Sequence, residues 1–598
     1  MSSVISAVKS HWPMLFVAGL GAVLIFTNLG SDYLWEDEGD TAAFAVNIQK
    51  FGVPRAWDGV TFIDSDGGAP LNDNLTLISH PLLQYYLTAA SFAVFGQNNW
   101  AARLPFALAG WLTIVIAYLC GFDLTRNRWA AFCSAILLTA SVQFLLYCRQ
   151  CRYYALSMLL STLLVWIFFN LRSIQSALLF AIVAVFLFHS HPFGIVFVGV
   201  LLLAGFVYRH GGSVNGGGGS RRHGLSPKGG ASGCERINRR YLAFGGLIAA
   251  VFVLPWIAFV RSGYAVHSEP VNSITQFFGR FAQYAVESTS VTPLIGIVIL
   301  SAVVGVLGKR RVEQQEPLLD RRQLGFLLVT LVTVICYAVA GAISESSDDI
   351  WRVGLRYSTA LLPLTAIAAG MLIVRVSRGR IAIWVPLLLI FAFTKFAQLT
   401  PWIFWVEKQA TLDGKEIVRA HPALDNVPRY LAIPEQWAFV QDLGTENSGT
   451  LAKACEFFKA NANANDLVLT NYDWQPLYFY TRLPQSLRIF PDYPIYQAAK
   501  RKGLPEYVFN IDGVRWIFWR PVWDGLWGYV GSDLQRDMRS RGARITPIAQ
   551  FPETIFENRP EIHYHRFSGG RYFYIALDNS STAQVFRVDW PGVLRSDR

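Results

Sequence analysis

Four carboxylates fall within five positions, Glu36, Asp37, Glu38 and Asp40, in the stretch SDYLWEDEGDT. A carboxylate can take the proton of a hydroxyl nucleophile, or hold a divalent ion through its oxygens. Arginines recur in pairs elsewhere. Arg149 and Arg152 stand at i and i+3 in CRQCRYY, and Arg352 and Arg356 at i and i+4 in SESSDDIWRVGLRY. On a helix such pairs share one side. A guanidinium fork matches the oxygens of a phosphate. Acids that accept a proton and arginines that steady a departing phosphate suit transfer from a lipid phosphate to a hydroxyl. Blander readings stand beside this one. The acids could form a solvated turn in which one or two cap a helix. The arginines could pair with Asp348, Asp349 or the first acids. His80, which opens HPLLQYY, could be structural or could orient a headgroup.

The elements that position these residues are written in the hydropathy. Of the 598 residues, 53% are hydrophobic and 16% charged, against roughly a quarter charged in soluble domains. About 20 apolar residues cross the bilayer. Runs approaching that length lie near 12–30, 104–121, 129–147, 155–170, 177–189, 193–208, 241–260, 291–308, 324–343, 357–374 and 381–400. We read these as eleven spans. The fifth and sixth are short and are split only by His189-Ser190-His191-Pro192. The apolar stretch 81–96 is too short to cross and reads as a helix lying in the interface. TAAFAVNI (41–48) resumes apolar periodicity directly after the acids, so they sit at a helix start.

Charge sets the orientation. With the N-terminus inside, the inner loops hold 18 Lys/Arg in 65 residues and the outer loops 9 in 126. That is the positive-inside bias. It predicts a multi-pass cell (inner) membrane protein with a cytoplasmic N-terminus. The net charge of +11 therefore says little about nucleic acid, and the chain shows no RNA- or DNA-binding motif. Loop 209–240 is Gly/Ser-rich with scattered basic residues and reads as a flexible cytoplasmic linker. The first outer loop, 31–103, carries nine acids and three bases. The seven cysteines are scattered; only Cys148 and Cys151 have CxxC spacing, and no second pair completes a metal site. The N-terminal run is long and lacks a small-residue cleavage site, so it reads as a retained span.

The pattern changes after Pro401. DLVLT (466–470), VRWIFW (514–519) and RYFYIAL (571–577) read as strands, and LAKACEFFKANA as a helix before the first of them. The sequence thus divides into a helical membrane domain, 1–400, and an extracytoplasmic α/β domain, 401–598.

The motifs occur in a familiar order. After the first span come W-x-DE-x-x-x-A (Trp35, Asp37, Glu38, Ala42), KFGVP (50–54) and HP-x-L-x-x-Y (His80, Pro81, Leu83, Tyr86). Then follow RLPFALAG (103–110), Y-x-RQ-x-RYYAL (147–156) and RY-x-x-x-LLP (356–363). Over about residues 10–400 this resembles the membrane-embedded GT-C glycosyltransferases, in the branch of the protein O-mannosyltransferases and the aminoarabinose transferases of lipid A. In the outer domain the likeness extends to position and to DLVLTNYDWQPLYFYT (466–481). The resemblance implies a sugar donor on a polyprenyl monophosphate, a hydroxyl acceptor on a lipid, glycan or protein, transfer at the outer face and inversion at the anomeric carbon. It implies Asp37 and Glu38 as the catalytic acids, with Asp37 the base. Asp40, His80, Tyr86, Arg149, Arg152, Tyr153, Arg352 and Arg356 are then the residues expected to bind substrate. A divalent ion, where one is used, would sit at Glu38 and Asp40. The aminoarabinose transferases carry Lys-Pro where this chain has His80-Pro81, and Arg where it has Asp40. Those differences leave the sugar and the acceptor open. Two alternatives remain at this point: an oligosaccharyltransferase or ligase using a lipid pyrophosphate, whose WWDYG-type signature is absent, and a lipid-linked sugar transporter or scaffold.

Overall fold

The computed structural model describes residues 2–63, 71–72, 74–78, 81–207, 238–264, 271, 273–309, 319–344, 356, 358–398, 411–412, 415–416, 431–444, 449–487, 504–521, 531–553 and 582–591. His80, Arg352, the linker 211–233 and the expected strand 571–577 lie outside these residues.

All eleven expected spans coincide with apolar helices. They are α1 (Ser2–Phe26), α4 (Asn99–Thr125), the pair α5 (Arg128–Thr139) and α6 (Val142–Cys148), α7 (Tyr154–Phe169), α8 (Ile174–Ser190), α9 (Gly194–Val207), α10 (Arg239–Tyr264), α12 (Leu294–Lys309), α13 (Arg321–Ser344), α14 (Leu362–Val376) and α15 (Ile381–Phe393). Among the described residues, four of these regions are long and apolar enough to cross a membrane by themselves: 99–125, 239–258, 321–343 and 358–376. The span expected at 129–147 is not one rod but bends by 69° between α5 and α6. The span expected to reach residue 400 ends at Phe393.

Tight helix contacts rest on small residues, as is usual within membranes. A methyl group on Gly370 of α14 would stand 2.4 Å from the Ser134 backbone nitrogen of α5. At the bundle end where α4 finishes and α13 begins, Arg322 donates to Asp123 Oδ2 at 2.6 Å, and Trp166 and Asn170 donate to the same oxygen. At the opposite end lie α2 (Glu36–Phe51) and α3 (Leu83–Phe95). The apolar stretch 81–96 therefore is a short helix, packed on α2 and α4. Between α10 and α12 runs a further helix, α11 (Ile274–Val291).

The C-terminal region begins with a short antiparallel ladder, β1 (Thr411–Leu412) with β2 (Lys415–Glu416). Helices α16 (Ile433–Asp442) and α17 (Thr450–Asn461) follow. Next come β3 (Leu467–Thr470), α18 (Trp474–Thr481), β4 (Gln485–Ser486), β5 (Val514–Trp519), α19 (Gly531–Ser540), β6 (Arg544–Pro552) and β7 (Thr582–Asp589). They form one sheet in the order β4-β3-β5-β7-β6. Its β4-β3-β5 part is parallel, and β7 pairs antiparallel with β5 and β6. Strands β3 and β5 are almost wholly buried, as the continuous apolar runs DLVLT and VRWIFW require.

Candidate functional site

The acids do begin a helix. Glu36, Asp37 and Glu38 form the first turn of α2, where the free backbone N–H groups and the helix dipole favour negative charge. What each acid does is decided by what reaches it from elsewhere.

Glu38 is fully buried. Arg103 of α4 grips it with two parallel bonds, Nε to Oε1 at 2.8 Å and a terminal nitrogen to Oε2 at 2.7 Å. The Cys151 backbone N–H donates to Oε1 at 2.7 Å, and Trp35 N–H to Oε2 at 3.4 Å. The remaining donors of Arg103 take the carbonyls of Leu29, Asp32 and Tyr33 at 2.9–3.1 Å. One arginine thus ties the turn between α1 and α2 to the carboxylate that follows it. Both Glu38 oxygens are thus engaged by donors of the protein itself. Among the described residues no three His, Cys, Asp or Glu side chains gather as a metal site. Arg103 was visible only as the first letter of RLPFALAG.

Arg149 is likewise engaged by the protein. Its guanidinium caps the end of α1 and the turn beyond, donating to the carbonyls of Ile25 and Thr27 at 2.8 Å and of Asn28 at 3.1 Å. A cation at a helix C-terminus is favourable. Burial, with Arg103 nearby, lowers its pKa to about 10, so it stays charged at neutral pH. Those donors face backbone carbonyls.

Asp37 is different. Its side chain keeps 21% of its surface open, and two guanidiniums face its Oδ2: Arg152 at 3.3 Å and Arg356 at 3.6 Å. Arg152 also donates to the Asp37 carbonyl at 3.3 Å and stands 3.9 Å from Asp40 Oδ2. Burial lowers the Arg152 pKa, but Asp37 together with Tyr154, Tyr85 and Tyr153 outweighs it and raises it above the ordinary arginine range. Asp40, one turn on, accepts from the Tyr85 hydroxyl at 3.5 Å. Tyr153 stands next to Arg152, which lies 5.7 Å from its ring, and stacks on His191 with centroids 4.6 Å apart. The structure therefore brings Asp37, Asp40, Arg152, Tyr153 and Arg356 together.

Tyr86 is not among them. Its hydroxyl donates at 3.2 Å to the Gly52 carbonyl, just past the far end of α2. At 1.5 Å per residue that is about 20 Å from Asp37. Tyr85, its buried neighbour, is the tyrosine that reaches the acids. We expect Tyr86→Phe to leave transfer within about twofold of wild type and Tyr85→Phe to lower it more. Initial rates of the two variants side by side check this.

The C-terminal region completes the floor of the site. Helix α18 lies across α2, and a methyl group on Gly39 would stand 2.5 Å from the Pro476 ring. Tyr480 takes a bond from Leu34 N–H at 2.7 Å and gives one to Asn99 Oδ1 at 2.6 Å. Tyr478 donates to Asp58. Behind α18, Arg520 binds Asp473 and also Glu553, the latter at 2.6 Å. Gly39→Ala should therefore cost about 1–3 kcal/mol through overpacking, read as a lower thermal midpoint in detergent, because the neighbouring atoms are ring and backbone that do not swing away.

Comparison with known proteins bears on the fold. The chain aligns with the crystal structure of ArnT from Cupriavidus metallidurans bound to undecaprenyl phosphate, with TM-score 0.53 and 14% identity over 91% of this chain and 96% of that one. The fold is that of the GT-C glycosyltransferases. The same enzyme in its apo state aligns with TM-score 0.53 and 15% identity over 92% of this chain and 97% of that one. The archaeal oligosaccharyltransferase AglB from Archaeoglobus fulgidus aligns at TM-score 0.45 and 12% identity, over 90% and 73%. Residues 79–210 match the family described as dolichyl-phosphate-mannose-protein mannosyltransferase. No curated protein matches the sequence.

Proposed function

We propose that this chain is an integral-membrane inverting glycosyltransferase that moves a sugar from a polyprenyl-phosphate donor to a hydroxyl acceptor. The observation that carries the reading is Asp37, partly open at the start of α2, with Arg152 and Arg356 at 3.3 and 3.6 Å, set in a GT-C fold. Asp37 takes the acceptor's proton and aligns its oxygen with the anomeric carbon. The two arginines turn toward the phosphate as the sugar–oxygen bond breaks and charge gathers on the leaving group. Asp40 and Tyr85 order the sugar, and Tyr153 supports Arg152. His80 and Arg352 join them as further substrate contacts. Glu38 is a positioning residue: it holds the first turn of α2 against Arg103. A divalent ion, if the reaction uses one, would need Asp37 and Asp40 rather than Glu38.

The charge distribution of the loops favours a cell-membrane protein with its N-terminus in the cytoplasm and the site and sheet domain on the outer side. The acceptor is then an envelope lipid, glycan or protein. The test is direct. Purified protein in nanodiscs receives a panel of polyprenyl-monophosphate sugars and an envelope extract, and free polyprenyl phosphate is read by mass spectrometry. Release with one donor names the sugar; binding of donor without release from any would overturn the reading in favour of transport.

A further inference from the structure

The break between α5 and α6 opens on a small cavity of about 80 Å³. It is separate from the acid site. Its walls are the broken span, the first turns of α14, the end of α15, the linker 394–398 and the first turn of α16. Lipid-exposed backbone cannot be left unpaired in hydrocarbon, so an interrupted span occurs where it faces protein or a polar cavity. Here the interruption is held open from across the cavity: Gln436 donates to the carbonyls of Ala140, at the break, and Ala392, at the end of α15.

Three buried polar groups line this space. Lys395 and Glu435 form an ion pair, exposed by only 1% and 6%. Gln143, exposed by 2%, turns an amide nitrogen into the buried interior with no hydrogen-bond partner among the described residues. A buried donor left unpaired costs about 1–3 kcal/mol, and charged groups at the level of a membrane bundle usually mark a binding site. Ser141, Thr394, Gln398 and Gln436 add further polar groups, and Leu137, Val142, Leu362 and Phe391 form the apolar part of the lining.

We infer that this cavity binds the neutral, hydroxyl-bearing head of an apolar-tailed molecule. An anion reaching Lys395 would meet Glu435 at the same place, and a cation reaching Glu435 would meet Lys395. A hydroxyl suits both: it accepts from Gln143 or Lys395 and donates to Glu435. The tail has the leucines and Phe391 to lie against. The cavity also connects to the acid site by two short pieces of chain. Helix α6 and residues 149–151 run from Gln143 to the Cys151 N–H on Glu38. Five residues separate Arg356, beside Asp37, from Leu362 in the wall. Insofar as this ligand is the acceptor, the inference rests on the glycosyl-transfer reading; the binding itself does not.

The test measures binding, not turnover. Protein reconstituted in phosphatidylcholine nanodiscs, purified without sugar-headed detergent, is photolabelled with a diazirine alkyl glucoside, and the cross-linked peptides are located by mass spectrometry. We expect labels in 137–143 and 391–398, displaced by excess unlabelled alkyl glucoside but not by free oligosaccharide or alkyl phosphate. Gln143→Leu should weaken labelling about tenfold, the scale of one lost buried hydrogen bond. Ala392→Phe, which fills the space from the opposite wall, should weaken it as much. Both are compared with wild type only as monodisperse protein, and the second serves if the first does not fold. Asp37→Asn should label like wild type, so a failure of the catalytic reading leaves this result standing. Labelling elsewhere, equal labelling by alkyl phosphate, displacement by free oligosaccharide, or labelling unchanged in both variants would overturn the inference.

Discussion

Replacing Asp37 by Asn is expected to lower sugar transfer by at least about a hundredfold, the scale of a lost general base. The change keeps the shape of the side chain and removes only its charge and basicity. Because Arg152 also holds the Asp37 backbone carbonyl, the turn should stay in place. The variant should therefore purify as wild type does and still bind donor. The assay is release of free polyprenyl phosphate in nanodiscs, with donor binding measured alongside. Release within a few fold of wild type would remove Asp37 from the mechanism, and Asp40 would be the next acid to change.

The second large effect is on folding. Arg103→Met should destabilise the membrane domain by about 3–5 kcal/mol, the usual result of stranding one member of a buried ion pair. Glu38 would be left buried and charged, and three carbonyls of the α1–α2 turn would lose their donor. The yield of monodisperse protein and its thermal midpoint report this. Arg103→Met with Glu38→Leu should recover part of the loss, because the stranded charge goes too. If the single variant were as stable as wild type, the pair would not be the anchor described above.

These two outcomes separate acids that look alike in the sequence. Asp37 and Glu38 are neighbours at one helix start, and that start was legible: an apolar run, an acidic cluster, then TAAFAVNI. Their different partners were not, because the arginine that grips Glu38 lies 65 residues away. The arginines show a different limit. Arg149 and Arg152 share a face only if 148–154 is helical. In the structure α6 ends at Cys148 and α7 begins at Tyr154, so the i, i+3 argument had no helix to act on, and the two side chains part. Tyr85 and Tyr86 show a third. On α3 successive residues point about 100° apart, so choosing between them needs the phase of the helix against α2. The apolar helices were legible throughout, since length and hydropathy suffice to find them. The bend at Ala140–Ser141 was not. Its backbone is steadied by Gln436, 296 residues later.

The contact of α18 with α2 sets an order of events in biosynthesis. Leu34 N–H and its acceptor Tyr480 are 446 residues apart. At the usual 5–20 residues per second, roughly 20–90 s of translation separate the two. During that interval the acids are already inserted beside the membrane, while the surface that braces Gly39 does not yet exist. On the proposed mechanism, the nascent protein therefore carries its proton acceptor before that acceptor can be used, and acquires competence only as its last quarter folds. Ribosome-stalled chains ending before residue 466 should be inserted and yet silent. Any turnover from them would show that the acid helix needs no brace.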